Sequence, residues 1–362
     1  MNQKAKAAVL EAPGKISIKE FTLPSIGPEE GLIRVEMAGV CGSDPKFYHG
    51  KIKNLPTPMI LGHETLGHIE EIGNVAAERY GVHKGDRVVV EANIHCGLCY
   101  YCLTGNYQFC ERERGYGTKL STKTAPGLWG SYSEYMYLAP NSEVHKVSAS
   151  VPAEAAILTT VIANGVQWAR NLAGASIGNF VVIQGAGQQG LACLVGALES
   201  GCRPVIVTGL SVDSPRLALA KVLGAHYTID VQKEDVVARV AELTNGRMAD
   251  IVVDVTGNPQ AIQKSLDMVR PQGTVLAGGL TGTETVTPML IDKIVMKEIR
   301  FQGARSKAAP AVLAALKLVE SRKYPFEKLV THRYPLDKTE EALKACGSEL
   351  AGVYPVKVVI VP

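Results

Sequence analysis

Through roughly the first 150 residues, hydrophobic and polar positions change over in short runs. KISIKEF (15–21) alternates apolar and polar residues, LIRVEMAGV (32–40) and DRVVVEA (86–92) are rich in β-branched residues, and Gly and Pro punctuate the intervals. This texture predicts short strands and turns. From about residue 153 the period lengthens. FVVIQ (180–184) reads as a strand, then comes a glycine-rich turn and a helical stretch; PVIVT (204–208) precedes the helical SPRLALAKVLGA (214–225). YTI (227–229), the helical KEDVVARVAEL (233–243), the strand DIVVDV (250–255), the helical QAIQKSLDMV (260–269) and the strand TVLAGG (274–279) follow. Apolar runs that alternate with helical patterns predict a doubly wound parallel sheet. After about residue 303, a helix (PAVLAALKLVESRK, 310–323) and a β-rich tail (PVKVVIVP, 355–362) resemble the first part more than the middle. The expected organisation is α/β: a discontinuous first domain, 1–152 and 303–362, with a nucleotide-binding domain, 153–302, inserted into it.

Composition narrows the function classes. A chain of 362 residues exceeds what one hydrophobic core organises, and 46% hydrophobic with 20% charged residues describes an ordinary globular protein. The net charge is +3, with no Lys/Arg run that could track a phosphate backbone, which argues against a nucleic acid partner. MNQKAKAAVLEAPGK contains no apolar core of signal-peptide length, and the most apolar later segments are broken well short of a membrane span. No membrane partner and a cytoplasmic location are therefore expected. In a reducing compartment, the eight cysteines are thiols and thiolates rather than a disulfide framework.

Four of those cysteines, Cys96, Cys99, Cys102 and Cys110, fall in one lobe (95–112) with the pattern C-x2-C-x2-C-x7-C. Such steps let thiolates converge on one ion, and four of them close a tetrahedral zinc site with no open position, hence a structural zinc. An iron–sulfur cluster uses similar spacing, but no Pro follows the last Cys and no second cysteine cluster exists.

Gly185, Gly187 and Gly190 form a G-x-G-x-x-G directly after a predicted strand and at the start of a predicted helix. In that context the first glycine makes the turn, the second admits a pyrophosphate to the backbone, and the third packs helix on sheet. An acidic residue is expected to end the next strand and grip the adenosine ribose. Gly209 stands there instead; Asp213 is the nearest acid and Arg216 the first arginine. NAD and NADP both stay open, with a lean to NAD.

GVCGSDP (39–45) and GHETLGHIEEIGNVA (62–76) carry a resemblance. With Gly62-His63-Glu64, Gly67, Gly73 and Ala76, then Gly85-Asp86-Arg87-Val88, the four-cysteine lobe, the glycine turn and the strand-rich tail in order, the chain resembles the zinc-dependent medium-chain dehydrogenases/reductases over its whole length. The resemblance implies a GroES-like β-barrel around an inserted Rossmann domain, and an NAD(P)-dependent alcohol dehydrogenase or ketone reductase working on a small-molecule alcohol or ketone. It implies a second, catalytic zinc held by Cys41 and His63, which lowers the pKa of a bound alcohol so that hydride can pass to the nicotinamide. Ser43 matches the proton-relay hydroxyl, and Asp44 the carboxylate that steadies the ligand histidine. Cofactor contacts are expected at Gly185, Gly187, Gln188, Gln189, Gly190, Gly209, Ser211, Arg216, Asn164 and Gly279, and assembly as a homo-oligomer, dimer or tetramer.

The chain departs from the pattern at three places. Lys46 stands where many members have a relay His, so the relay ends on Lys46, on His49 or in water. Asn164 replaces a small residue near the nicotinamide. Thr160 occupies the place of the third, anionic zinc ligand, and Glu64 is expected to take that role, with Glu154 as the other candidate. Phe47, Tyr48, Tyr116 and Trp129 are expected near substrate and favour a secondary, bulky or apolar alcohol; ordinary core roles for these rings are the rival reading. The alternatives are a polyol or threonine-type dehydrogenase, or a metal-poor enone or quinone reductase on the same fold. The last usually lacks both the cysteine lobe and the Cys41/His63 pair.

Overall fold

The alternating KISIKEF run forms the strand Lys15–Thr22, antiparallel to Lys4–Ala12. In the computed structural model, which describes residues 3–282 and 285–362, two units cluster separately: 1–160 with 316–362, and 161–315. Of the N-terminal stretch, Met1 and Asn2 lie outside the described residues.

In the first unit the central strand is Gly31–Val40. It pairs antiparallel with Glu64–Ile72, with Lys357–Val361 and with Tyr135–Leu138. The tail of the chain thus returns to sit beside the strand that leads into Cys41. Register then decides which side chains meet: Gly39 faces Glu64, and Val40 faces Val358. Arg87–Ile94 extends the sheet from the far side of Glu64–Ile72. The core beneath combines β-branched residues of these strands with buried rings.

The second unit is one parallel sheet in the order Tyr227–Asp230, Val205–Gly209, Val181–Gln184, Ala249–Asp254, Val269–Ala277, Arg300–Gly303. Counting its strands along the chain, the order is 3-2-1-4-5-6, the doubly wound arrangement whose ligand crevice opens where the order reverses. Val181–Gln184 and Ala249–Asp254 are buried throughout, as unbroken apolar runs require when helices cover both faces. The glycine turn leaves the first of these strands at the crevice.

Several elements carry little sequence signal. Arg300–Gly303 has a single apolar residue, and Val330–Pro335 alternates exposure as a strand parallel to Lys357–Val361. No helix among the described residues is long and apolar enough to cross a membrane.

Within the second unit, the helix Gln188–Glu199 lies unusually close to the helical turns Val166–Leu172. A Cβ on Gly196 would come within 2.8 Å of the Gly165 carbonyl carbon, and one on Gly165 would overlap the Ala192 carbonyl. Backbone has no rotamer by which to give way. Gly165→Ala is therefore expected to destabilise the chain by about 1–3 kcal/mol despite the better helix propensity of Ala, read as a lower midpoint in denaturant unfolding. An unchanged midpoint would show that the two helices can separate without cost.

Candidate functional site

Strand Gly31–Val40 runs into Cys41, and the chain then turns into the short helix Asp44–Tyr48. Asp44 is fully buried, which is costly for a carboxylate unless its charge is matched by donors. Its Oδ2 accepts the Cys41 N–H at 2.8 Å and the Tyr132 hydroxyl at 2.7 Å. Its Oδ1 lies 3.4 Å from His63 Nδ1, and neither of these atoms has a hydrogen-bond partner among the described residues. The carboxylate turns Nδ1 toward itself and leaves Nε2 as the ligand atom of the ring. Burial alone would depress the His63 pKa; the charges of Asp44 and Cys41 outweigh it and hold the imidazole well above its ordinary value. Gly62, with φ +91°, makes the turn into His63; a Cβ there would come 2.5 Å from the Tyr132 ring and 2.6 Å from Ser131 Oγ.

Glu64 opens the next strand. One ligand atom from each of Cys41, His63 and Glu64 falls within 4.8 Å of the others. A thiolate, an imidazole and a carboxylate so gathered form a donor set suited to zinc with an open position. Glu64 is not a free anion, however. Its Oε2 accepts from Lys357 Nζ, which also donates to the Val40 carbonyl at 3.0 Å. Lys357 is 0% exposed, so it is itself a buried charge held by that carboxylate. Gly39 makes the pair possible, because a Cβ there would lie 2.9 Å from Lys357 Nζ and collide with Glu64. Thr160 is buried, and its hydroxyl has no partner among the described residues. Glu154, the other candidate donor, pairs with Arg333.

Tyr132, Lys357 and Cys346 belong to this region without having been singled out from sequence. The Cys346 thiol points to the Cys41 carbonyl at 3.7 Å, and burial pushes its pKa up to about 12, which keeps it neutral. Only Lys357 left a trace in the sequence, as a charge inside the apolar run PVKVVIV.

Ser43 stands at the start of the Asp44 helix, half-buried, and its hydroxyl makes no capping bond. His49 is engaged at 2.7 Å by Glu349. The four aromatic residues expected to line substrate do not form a wall. Phe47, Tyr48, Tyr116 and Trp129 are all buried in the core of the first unit, with the Tyr116 hydroxyl on Ser142 Oγ and the Trp129 indole N–H on the Thr124 carbonyl. They give no support to a bulky apolar substrate.

In the cysteine lobe, Cys96 and Cys102 sulfurs are 3.9 Å apart and those of Cys99 and Cys102 3.4 Å, with all four sulfurs within 4.8 Å of one another. Tetrahedral zinc with bonds of about 2.3 Å would set its sulfurs about 3.8 Å apart. The Leu98 and Cys99 amides donate to Cys96 Sγ and lower its pKa to about 6, whereas burial pushes Cys102 up to about 12. Four thiolates can coexist in that space only around a cation. A third gathering, Glu91, Glu143 and His145, is already satisfied from within. The buried Glu91 accepts the Tyr107 hydroxyl at 2.9 and 3.0 Å and His145 Nε2 at 2.8 Å, and Glu143 takes His95 at 2.6 Å. Because Tyr107 lies between Cys102 and Cys110, this network fastens the lobe to the strand Arg87–Ile94.

In the second unit the turn Gly185–Gly187, which leads into the Gln188 helix, opens on a cavity of about 490 Å³. Gly187, the N-cap, has nothing within 4 Å of its ideal Cβ position, while a Cβ on Gly190 would overlap the Gly185 carbonyl. An open cradle at the N-terminus of a twelve-residue helix fits a pyrophosphate. The Oε1 atoms of Gln188 and Gln189 and the Oδ1 of Asn164 are buried without partners among the described residues. Gly209, Asp213 and Arg216 line the cavity; Ser211 does not, its hydroxyl being turned to Asp230 at 2.7 Å. Gly279 crosses Gly257 so closely that a Cβ would overlap the Gly257 amide.

Comparison with known proteins agrees with this geometry. Residues 27–149 match the "Alcohol dehydrogenase GroES-like domain" and residues 190–321 the "Zinc-binding dehydrogenase" domain. A probable alcohol dehydrogenase of Mycobacterium tuberculosis is 39% identical over 99% of this chain and 98% of its own length. An erythritol/L-threitol dehydrogenase of Mycolicibacterium smegmatis is 33% identical, again over 99% and 98%. Among solved structures, an alcohol dehydrogenase from Thermotoga maritima superposes with a TM-score of 0.89 at 29% identity, over 99% of this chain and 100% of that one.

The lobe can be tested apart from turnover. Cys99→Ser is expected to lose one zinc per chain by elemental analysis and to lower the melting temperature. A folded variant with unchanged zinc content and melting temperature, but no turnover, would refute a structural role.

Proposed function

Because the chain belongs to the zinc-dependent medium-chain dehydrogenase/reductase family, and is an oxidoreductase with zinc and NAD(P) as the cofactors of that family, we propose that it interconverts an alcohol and its ketone at a zinc held by Cys41, His63 and Glu64. The convergence of these three donors over the buried Asp44 carboxylate carries the reading. When bound, zinc supplies a Lewis acid that lowers the pKa of the substrate hydroxyl, and the nicotinamide accepts the hydride. The chain's own groups do the rest. Asp44 fixes the His63 ring through Nδ1 and the Cys41 backbone through its amide, so both ligands are held in place before metal arrives. Ser43 Oγ takes the substrate proton and passes it on to Lys46 or to water, since His49 is already committed to Glu349. The Gln188 helix N-terminus seats the pyrophosphate, with Gly187 giving it room.

Charge explains the part given to Lys357. Cys41 offers one negative charge, Thr160 none, and the negative charge of Glu64 is matched by Lys357. Lys357 thereby gives the buried Glu64 carboxylate a partner of opposite charge within the site. The burial of the four aromatic residues leaves polyols on equal terms with apolar secondary alcohols, and the erythritol/L-threitol activity named for the smegmatis relative makes them a natural arm of a substrate screen. Assembly as a homo-oligomer rests on the strand Arg300–Gly303, which has a neighbour on one side only among the described residues and carries the exposed Phe301, close in sequence to the exposed Val295 and Met296. Light scattering would report it.

Glu64→Gln should lose the second zinc and turnover, Thr160→Ala should keep both zincs, and Thr160→Cys should hold zinc more tightly against a chelator. Since Glu64→Gln also leaves the buried Lys357 without a counter-charge, at a cost of about 3–5 kcal/mol, Glu64→Gln with Lys357→Met serves as the control that restores folding without restoring metal. Anomalous scattering at the zinc edge that places the ion on the Thr160 oxygen, or two zincs retained in that double variant, would overturn the assignment. Ser43→Ala is expected to lower kcat about a hundredfold with zinc content intact; an unchanged kcat would remove the hydroxyl from the relay.

A further inference from the structure

The strand that should end on a ribose-binding acid ends on Gly209, and the reason lies four residues on. An ideal Cβ at Gly209 would sit 3.0 Å from Asp213 Cβ and 3.3 Å from Asp213 Oδ2. The Asp213 side chain occupies the space that a side chain at the strand end would fill. The chain leaves the strand at Gly209, makes a single tight turn through Ser211–Asp213 and enters the helix Ser214–Val222. That turn carries the carboxylate back to the strand end. It is fixed there: Oδ2 accepts the Leu210 N–H at 3.0 Å, and Oδ1 accepts Arg216 Nη1 at 2.7 Å.

Gly209, Leu210, Asp213 and Arg216 all line the cavity into which the glycine turn opens. In a doubly wound sheet this place, beyond the end of the second strand, receives the adenosine ribose. We infer that Asp213, displaced four residues along the chain from the usual position, is the acceptor for the ribose hydroxyls, and that its pairing with Arg216 makes the site select NAD over NADP. This rests on the dinucleotide reading given above.

The chemistry of the pair supports selection in that direction. A carboxylate has about four acceptor positions; two are taken by Leu210 and Arg216, which leaves capacity for two hydroxyl donors. A 2′-phosphate offers no such donor and brings negative charge against the carboxylate. Arg216, which could otherwise welcome it, is tied to Asp213. The neighbouring carboxylate Asp230, at the end of the next strand, is held by the Ser211 hydroxyl, the Gln232 amide and Lys233 at 3.2 Å, so its charge is already matched. Lys264, reaching the cavity from the helix Pro259–Met268, is the other cation lining it.

The test measures binding by titration calorimetry on the zinc-replete chain, with NAD, NADP, ADP and 2′-phosphorylated ADP as ligands, so that turnover does not enter. The chain is expected to bind NAD at least tenfold more tightly than NADP, and ADP more tightly than its 2′-phosphate. Asp213→Asn should weaken NAD by about tenfold, the loss of a charged acceptor, and strengthen NADP, reversing or erasing the preference. Arg216→Ala keeps the carboxylate and should retain the preference for NAD, while in Asp213→Asn with Arg216→Ala the gain for NADP should vanish. If Asp213→Asn lowers the melting temperature, Asp213→Ser keeps a shorter acceptor for the Leu210 amide and removes the charge. A wild-type chain that binds neither dinucleotide sinks the nucleotide reading itself. A chain that binds both, with a ratio that Asp213→Asn and Asp213→Ser leave unchanged, sinks this inference alone.

Discussion

The gathering of Cys41, His63 and Glu64 in the first unit depends on one buried carboxylate. Asp44 has no access to water, and such a group persists as an anion only if donors surround it. It finds two donors in separate segments, the Cys41 amide at the end of one strand and the Tyr132 hydroxyl, and the His63 ring at the start of another lies 3.4 Å from its second oxygen. Because all three must reach the same two oxygens, the segments cannot drift independently. Satisfying Asp44 and aligning Cys41 with His63 are therefore one requirement. The two donors and the neighbouring imidazole tie the segments that carry Cys41 and His63 to one carboxylate.

A second constraint concerns charge. Glu64 and Lys357 are both buried and both belong to the sheet, one on a strand that follows His63 and the other on the final strand of the chain. A buried pair contributes little stability by itself, but removal of either partner is expensive. The terminal strand is thereby bound to the site by electrostatics as well as by its backbone ladder. The cysteine lobe uses the same device in different form: Tyr107 reaches from between two cysteines to the buried Glu91, so the lobe is anchored at a point besides its sulfurs.

Much of this was legible in the sequence, and the exceptions share a cause. Five strands of the six-stranded sheet read from their apolar runs, since helices on both faces favour apolar side chains there. The cysteine lobe and the glycine turn read from spacing, because their ligands are local. What did not read were contacts that depend on register between distant strands. Nothing in the neighbourhood of Tyr132 announces that it will meet Asp44, 88 positions away, and the aromatic residues placed near substrate lie on the buried side of their segments. Arg300–Gly303 was invisible because an edge strand of four residues, mostly exposed, carries no period.

Two glycines are the most informative positions. Gly39 and Gly209 both stand at or near a strand end, and at Gly209 the sequence lacks the acid expected there. In each case the space is already taken by a charge from elsewhere: Glu64 and Lys357 beside Gly39, Asp213 beside Gly209. Glycine at such a place is not a relaxed requirement but a steric one, set by a carboxylate that arrives from another strand or from the following turn. The positional rule that expects an acid at a strand end is at bottom a rule about where a carboxylate can be in space. A chain can meet it from a different residue number, provided that the usual position gives up its Cβ. Adding a methyl group at either glycine would displace a buried charge rather than a hydrophobic atom. Its consequences would therefore fall on charge pairing and ligand binding as much as on packing.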